Sequence, residues 1–397
     1  MHDLKEGKLA DSSDGLVIGE NDVAKTLGIT WMSKTDKLIF HIDVGMKGEC
    51  LTKRVMLSGI SRIFDPMGLL GPCIIIAKVM LQQLWKENLS WDSPVSHELQ
   101  VKWNNFIQEL PSLNYLKIQR HVTCDNSTQI ELHAFSEASE VAYGAAVYVR
   151  SKNCYGETFC HLFISKAKVA PIKSLTIPRL ELCAAHLLAK LVNKVTTSLR
   201  LDFNSVTLWS DSTIVLGWIK TPVHLLKPFV RNRIAEIQEL TDISSWRYVP
   251  SLENPVDILS RGSYPSSLNN SNIWWQGPYW LQESPDLWPK DNKTSIPLPE
   301  IKTTLVAVSE FKFPFESFFN FAKSIKKNQS ANSTLTDIDK PIMLSKTFSY
   351  KQKDLKLGTI IEKDNEDMTV PQLEVAFDED AVETSNREGK LDNDPKM

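Results

Sequence analysis

QIELHAFSEASEVAYGAAVYVR, residues 129–150, is the stretch whose reading decides the fold. QIELHAFSEAS (129–139) and VAYGAAVYVR (141–150) read as two strands, with only a short link between them. ETFCHLFISKAKV (157–169) reads as a third strand. Three strands with short connections predict an antiparallel meander. IPRLELCAAHLLAKLVNKV (177–195) then carries Leu180, Ala184, Leu187, Leu188 and Leu191 at helical spacing, with Pro178 suited to a first turn. SVTLWSDS (205–212) reads as a strand ending in a polar cap, and STIVLGWIK and KPFVRNRIAEIQEL (227–240) read as helices. SSWRYVP (244–250) is the last strand, and the loop SLENPVD leads to a short helix, ILSRG. The order βββ-α-β-α-α-β-α predicts an α/β domain over 120–262. Its mixed five-stranded sheet should carry helices on both faces and place the 205–211 strand beside the 129–139 strand.

The flanks read differently. Residues 1–20 form a flexible lead-in. TLGITWMSKTDKLIFHIDV (26–44) predicts a hairpin around MSKTDK. LTKRVMLSGISRIF (51–64) has helical spacing, Asp65-Pro66-Met67-Gly68 breaks it as a turn, and CIIIAKVMLQQLWKE (73–87) is a second helix. Ser93-Pro94 opens a third, with Leu99, Trp103, Phe106 and Leu110 on one face. A small helical module therefore precedes the sheet domain, within a region spanning 21–115. SYPSSLNNSN (263–272) is a linker by composition, and NIWWQGPYWLQESPDLWP (272–289) holds four of the eleven tryptophans. The segment 263–290 thus ends in a strip expected to dock onto a neighbouring surface. Residues 291–397 are expected to be mostly a disordered acidic tail, with FPFESFFNFAKSIKK (313–327) a candidate amphipathic helix.

Composition sets the outer bounds. The chain has 397 residues, 42% hydrophobic and 23% charged, which is globular and large enough for two or three domains. No apolar run approaches the ~20 residues that span a bilayer, so no membrane partner is expected. MHDLKEGKLADSSDG lacks the apolar core of a secretory signal. Six scattered cysteines with no CxxC pair argue for reduced thiols and a cytoplasmic or nuclear setting. The net charge of −3 divides into −8 over 361–397 and +5 over the rest. A mildly basic body permits nucleic-acid binding without requiring it.

Four acidic residues stand out in the 129–262 block. Glu137 falls at the end of the first strand, Glu181 in the first turn of the long helix, Asp211 at the end of the fourth strand and Asp257 at the start of the last helix. Singly, each has an ordinary account, since a glutamate in a first turn complements the macrodipole and an aspartate after a strand caps a helix. As a set they converge on one sheet edge, where four carboxylates cannot all stay ionised without a cation. Oxygen ligands select Mg²⁺ or Mn²⁺, and two ions about 4 Å apart would serve phosphodiester hydrolysis. Cys154, Cys160 and His161 lack the spacing of a tetrahedral site and read as strand residues.

AFSEASEVAYGAAVYVR, LTIPRLELCAA, LWSDSTIVLGWI and WRYVPSLENPVDILSRG resemble the four RNase H motifs of the Pao/BEL class of LTR retrotransposon polyproteins, the Pao retrotransposon peptidase family. LTKRVMLSGISRIFDPMGLLGP with LWKENLSWD is similar to the segment between polymerase palm and RNase H, and TLGITW to the primer-grip region. WWQGPYWL is similar to the strip leading towards integrase. The resemblance spans roughly residues 22–290. It implies the end of a reverse transcriptase palm with a connection module over 21–115, and an RNase H-like domain over 120–262. It implies catalytic metal ligands at Glu137, Glu181, Asp211 and Asp257, with Asp211 and Glu137 bridging two ions, Glu181 holding one and Asp257 the other. The implied reaction is Mg²⁺-dependent hydrolysis of RNA in an RNA–DNA hybrid during reverse transcription. Lys166, Lys168, Arg179 and Lys190 are candidate phosphate contacts, and other retrotransposon polyprotein segments are candidate partners.

Two positions depart from the family pattern. Glu137 stands where the family has Asp, and Tyr248 where it commonly has His. On a fixed backbone the extra methylene moves the oxygens by about 1.5 Å, and two-metal chemistry tolerates little misplacement, so weak activity is expected. There is no Tyr-x-Asp-Asp, no Asp-Ser/Thr-Gly (Asp11-Ser12-Ser13-Asp14-Gly15 does not fit) and no His-His-Cys-Cys pattern after the tryptophan strip. Neither polymerase nor aspartic peptidase activity is expected. The alternative is a catalytically inactive, decayed or co-opted module that binds nucleic acid or another protein. Glu137 favours that alternative; Glu181, Asp211 and Asp257 oppose it.

Overall fold

The computed structural model describes residues 23–26, 29–43, 50–199, 201–290 and 297–302. β1 (Val23–Thr26), β2 (Ile29–Met32), β3 (Lys37–Phe40) and β4 (Ile118–Gln119) make a small antiparallel sheet. The β2–β3 hairpin turns where expected, at MSKTDK, with Asp36 left-handed at φ 49°. The helices α1 (Lys53–Ser61), α2 (Gly71–Lys86) and α3 (His97–Glu109) follow. α3 starts later than Ser93-Pro94 suggested: Ser96 is its cap, accepting from the Leu99 amide at 3.4 Å, while Val95 N is drawn to Leu51 O. Leu99, Trp103, Phe106 and Leu110 are all buried.

The larger sheet contains β5 (Ser127–Ala138), β6 (Ala142–Asn153), β7 (Thr158–Val169), β8 (Ser205–Ser210) and β9 (Trp246–Tyr248), in the order β7-β6-β5-β8-β9. β5, β6 and β7 are antiparallel; β8 runs parallel to β5, and β9 parallel to β8. This is the mixed five-stranded α/β sheet expected from the element order. Side chains alternate between faces along each strand. One face of β5, β6 and β8, including Leu132, Ala134, Val147 and Leu208, packs on α4 (Ile177–Ser198), α5 (Thr213–Ile219) and α6 (Pro228–Leu240) through Leu188, Trp218 and Ile234. The other face carries His133, Phe135 and Trp209.

That second face receives α7 (Asp257–Arg261) and the tryptophan strip. Gly144 on β6 allows the close approach of α7, because a Cβ there would stand 2.6 Å from Leu259 Cδ2. Beyond it come α8 (Pro265–Asn269) and α9 (Asn272–Gln276). The stretch read as a linker by composition therefore contains a helix whose Leu268 is buried. Trp274, Trp280 and Trp288 are buried as well. Trp280 lies 4.8 Å from Trp209 and Trp288 lies 4.9 Å from His133, ring centre to ring centre. Arg150 fastens the strip, donating to the carbonyls of Leu281 at 2.6 Å and Glu283 at 3.1 Å. The described residues all belong to one unit, Met1–Val306. The lead-in 1–20, the candidate helix 313–327 and the acidic run lie outside the described residues. No described helix is long and apolar enough to cross a membrane.

Candidate active site at the strand ends

Parallel pairing of β5 with β8 puts Ser136 opposite Ser210. The next residues are Glu137 and Asp211, so the register delivers two carboxylates side by side on the face shared with Phe135 and Trp209. Glu137 is buried. Asn254, itself buried, donates to both Ser136 O and Glu137 Oε2 at 3.0 Å. Ser251 Oγ donates to Asp211 Oδ2 at 2.6 Å, while Asp211 Oδ1 is buried. α4 begins at Ile177 behind Thr176, as expected, and Glu181, its fifth residue, comes from its second turn, not its first. Ser212 Oγ donates to Glu181 Oε2 at 2.6 Å and accepts from the Val215 amide at 3.2 Å. Ser212 is therefore the cap of α5, so capping does not account for Asp211. Asp257 opens α7 and accepts from Arg261 Nε at 2.6 Å.

The four groups act on one another electrostatically. Burial first, and then the neighbouring Asp211, Glu181 and Asp257, push the Glu137 carboxyl up to about 9. Glu181 is also raised, by burial and by Asp211 and against the Ser212 hydrogen bond. The all-oxygen donor set and the crowding of Glu137 against Asp211, which raises Glu137 through a shared hydrogen bond as well as through charge, fit a divalent cation at this pair. Glu181 and Asp257 each accept from a protein donor as well. Among the described residues, no three His, Cys, Asp or Glu side chains are grouped as a ready ligand set.

The candidate phosphate contacts divide. Lys166 is exposed on β7, with Lys168 two residues further on. Arg179 Nη2 instead meets Glu300 Oε1 at 2.9 Å, and Lys190 Nζ meets Glu236 Oε1 at 2.8 Å. Reading the sequence did not single out Ser212, Ser251 or Asn254 for the site. The signal available was local: a serine directly after Asp211, and an asparagine in the turn three residues before Asp257.

The fold and the carboxylate-lined strand ends define an RNase H-like domain. Residues 52–212 match the family described as Pao retrotransposon-like RNaseH-like domain, so this domain is of retrotransposon origin. The match takes in Glu137, Glu181 and Asp211 and stops short of Asp257. Among solved structures, the chain is similar to a foamy viral protease-reverse transcriptase in complex with double-stranded DNA. There the identity is 12% and the TM-score 0.36, over 58% of this chain and 38% of that one. It is also similar to RNase H1 from Halobacterium salinarum NRC-1, at 16% identity and TM-score 0.21, over 33% of this chain and 91% of that one. LC11-RNase H1 in complex with an RNA/DNA hybrid gives 14% identity and TM-score 0.22, over 32% and 88%. The chain thus spans well under two thirds of the foamy viral protein. No curated protein matches it.

Proposed function

We propose that the domain is a divalent-cation-dependent nuclease of RNase H type, which hydrolyses the RNA strand of an RNA–DNA hybrid at a reduced rate. The observation that carries this reading is the Glu137–Asp211 pair. Two parallel strands bring these two carboxyl groups together, and burial, with the hydrogen bond and charge of Asp211, pushes Glu137 up to about 9. Both carboxyls can ionise together only with a counter-ion beside them, which a bound cation would supply, and a set of this kind in a fold is a site candidate. Glu137 and Asp211, with Glu181 and Asp257, would hold two ions of Mg²⁺ or Mn²⁺. Bound there, the metal would supply Lewis acidity for activating water and stabilising the leaving oxygen. Asn254, Ser251 and Ser212 each orient one carboxylate by donating to it. Lys166 and Lys168 are the proposed phosphate contacts on β7. The proposed division has the end of a reverse transcriptase palm and its connection over 21–115, the nuclease over 120–262 and a docking strip within 263–290. Its proposed setting is cytoplasmic or nuclear, with other polyprotein segments as partners.

Incubating the full chain with a labelled hybrid in Mg²⁺ and in Mn²⁺, beside Asp211→Asn, tests this. Cleavage by the unmodified chain that Asp211→Asn abolishes supports the site; cleavage indifferent to Asp211→Asn removes it. The second reading, a non-catalytic binding module, is favoured by the Arg261 bond that occupies Asp257. It expects hybrid binding with no cleavage by any variant.

A further inference from the structure

Residues 297–302 lie against α5 and the start of α6. Lys227 N donates to Glu300 O at 2.9 Å and Lys302 N to Leu225 O at 2.8 Å. Trp218 Nε1 donates to Pro299 O at 2.8 Å, and Leu298 sits where a Cβ on Gly217 would be 2.5 Å from it. This anchoring holds Glu300 at φ 63°, a left-handed conformation that strains a residue with a side chain. Its carboxylate is 19% exposed and lies between two cations: Oε1 meets Arg179 Nη2 at 2.9 Å and Nε at 3.1 Å, and Oε2 is 3.8 Å from Lys227 Nζ. Arg179 and Arg233 both lie over the Phe229 ring, at 4.7 and 3.6 Å. The start of α4 is thus a basic patch, and Glu300 is the carboxylate set into it.

We propose that Arg179 and Lys227 form an anion site for a nucleic-acid phosphate, with Glu300 as a built-in occupant that the phosphate must displace. The segment 297–302 then acts as a strap that restrains binding through the Glu300 carboxylate. The inference rests on the nucleic-acid reading above. A guanidinium engages phosphate and carboxylate oxygens with the same paired geometry, so one can replace the other. Arg179 precedes Glu181 by two residues on α4, ~3 Å along the helix axis but roughly 200° around it, so a duplex held here would lie across α4 from the carboxylate site.

The test is binding of a 20-base-pair RNA–DNA hybrid to the full chain at low salt, without added metal. It compares the unmodified chain with Glu300→Gln, Glu300→Gly, Arg179→Gln and the Glu300→Gln/Arg179→Gln double variant. Glu300→Gln keeps the shape and the backbone bonds, while Glu300→Gly also relieves the positive φ, so at least one of them retains the fold. Both should bind about fivefold tighter, the size of a well-placed ion pair. Adding Arg179→Gln should erase that gain, whereas Arg179→Gln alone should change affinity by less than about twofold, because its charge is already occupied. Equal affinity of the unmodified chain and both Glu300 variants overturns the strap and leaves the nucleic-acid reading standing. No hybrid binding by any chain removes that reading and the strap with it.

Discussion

Glu131 and Glu137 lie on the same face of the same strand, and their surroundings drive them in opposite directions. Glu131 is buried against Arg150, whose Nη1 donates to it at 2.5 Å, and Gln129 donates at 2.7 Å. Burial pushes its carboxyl up, but His133 and Arg150 outweigh that and bring it down to about 2. Burial also drives His133 towards its neutral form, and Trp209 Nε1 donates to His133 Nδ1 at 3.2 Å. At neutral pH the compensating charge is therefore Arg150, which also holds the tryptophan strip by its carbonyls. Glu137 has Asn254 as a donor and three carboxylates around it, and rises to about 9. A carboxylate neutralised from within the chain is part of the scaffold. One left facing its own kind is complete only with something from outside.

Breaking the compensated end should have the largest effect. Arg150→Met leaves Glu131 buried without its cation and frees the carbonyls of Leu281 and Glu283. It should cost about 3–5 kcal/mol in denaturant unfolding, and limited proteolysis should then cut within 274–288. A loss below about 1 kcal/mol would show that Arg150 does not hold the strip. Gly144→Ala is next: its Cβ would meet Leu259 at 2.6 Å, displacing α7 and Asp257 from beside Glu137. Overpacking of this kind costs about 1–3 kcal/mol, visible as a lower melting temperature. An unchanged melting temperature would mean that α7 does not pack against Gly144.

A third test sharpens the contrast through pH. An unfolded glutamate ionises near 4.5, whereas folded Glu137 keeps its proton to about 9. Between these values only the folded chain holds the proton, so stability falls as pH rises, by at most about 1.4 kcal/mol per unit. Glu131 has the opposite sign: lowered to about 2, its contribution is complete above 4.5 and is lost as pH falls towards 2. Melting curves for Glu137→Gln between pH 5 and 9 should be flatter than those of the unmodified chain. Superimposable profiles would place no proton on Glu137.

The sheet was legible because the strands announce themselves by composition and the acidic residues fall at strand ends, where parallel pairing of β5 and β8 brings them level. The capping and tethering of those acids was not. Asn254 reaches Ser136 and Glu137 across 118 and 117 residues of chain, and no local pattern encodes a contact that chain closure creates. The start of the long helix was legible at Ile177, and Glu181, its fifth residue, falls in the second turn, whereas α3 was started at Ser93-Pro94 because a proline near a helix start marks a boundary only to within a few residues. The ion pair of Arg179, a candidate phosphate contact, was not legible because its partner, Glu300, lies 121 residues away in a segment with little periodicity.

The most direct test of the Glu137–Asp211 pair as a metal-dependent nuclease site is hybrid cleavage by the unmodified chain, Glu137→Asp and Asp211→Asn, assayed in parallel in Mg²⁺ and Mn²⁺. Aspartate at 137 shortens the reach without changing the charge, and a misplaced catalytic group costs on the order of a hundredfold in rate. Glu137→Asp should therefore raise cleavage by up to about that factor, Asp211→Asn should abolish it, and Mn²⁺ should partly rescue the unmodified chain. Loss of cleavage in Asp211→Asn with no gain in Glu137→Asp would show glutamate to be a competent ligand and contradict the argument from reach. Equal inertness of all three would contradict the nuclease assignment itself.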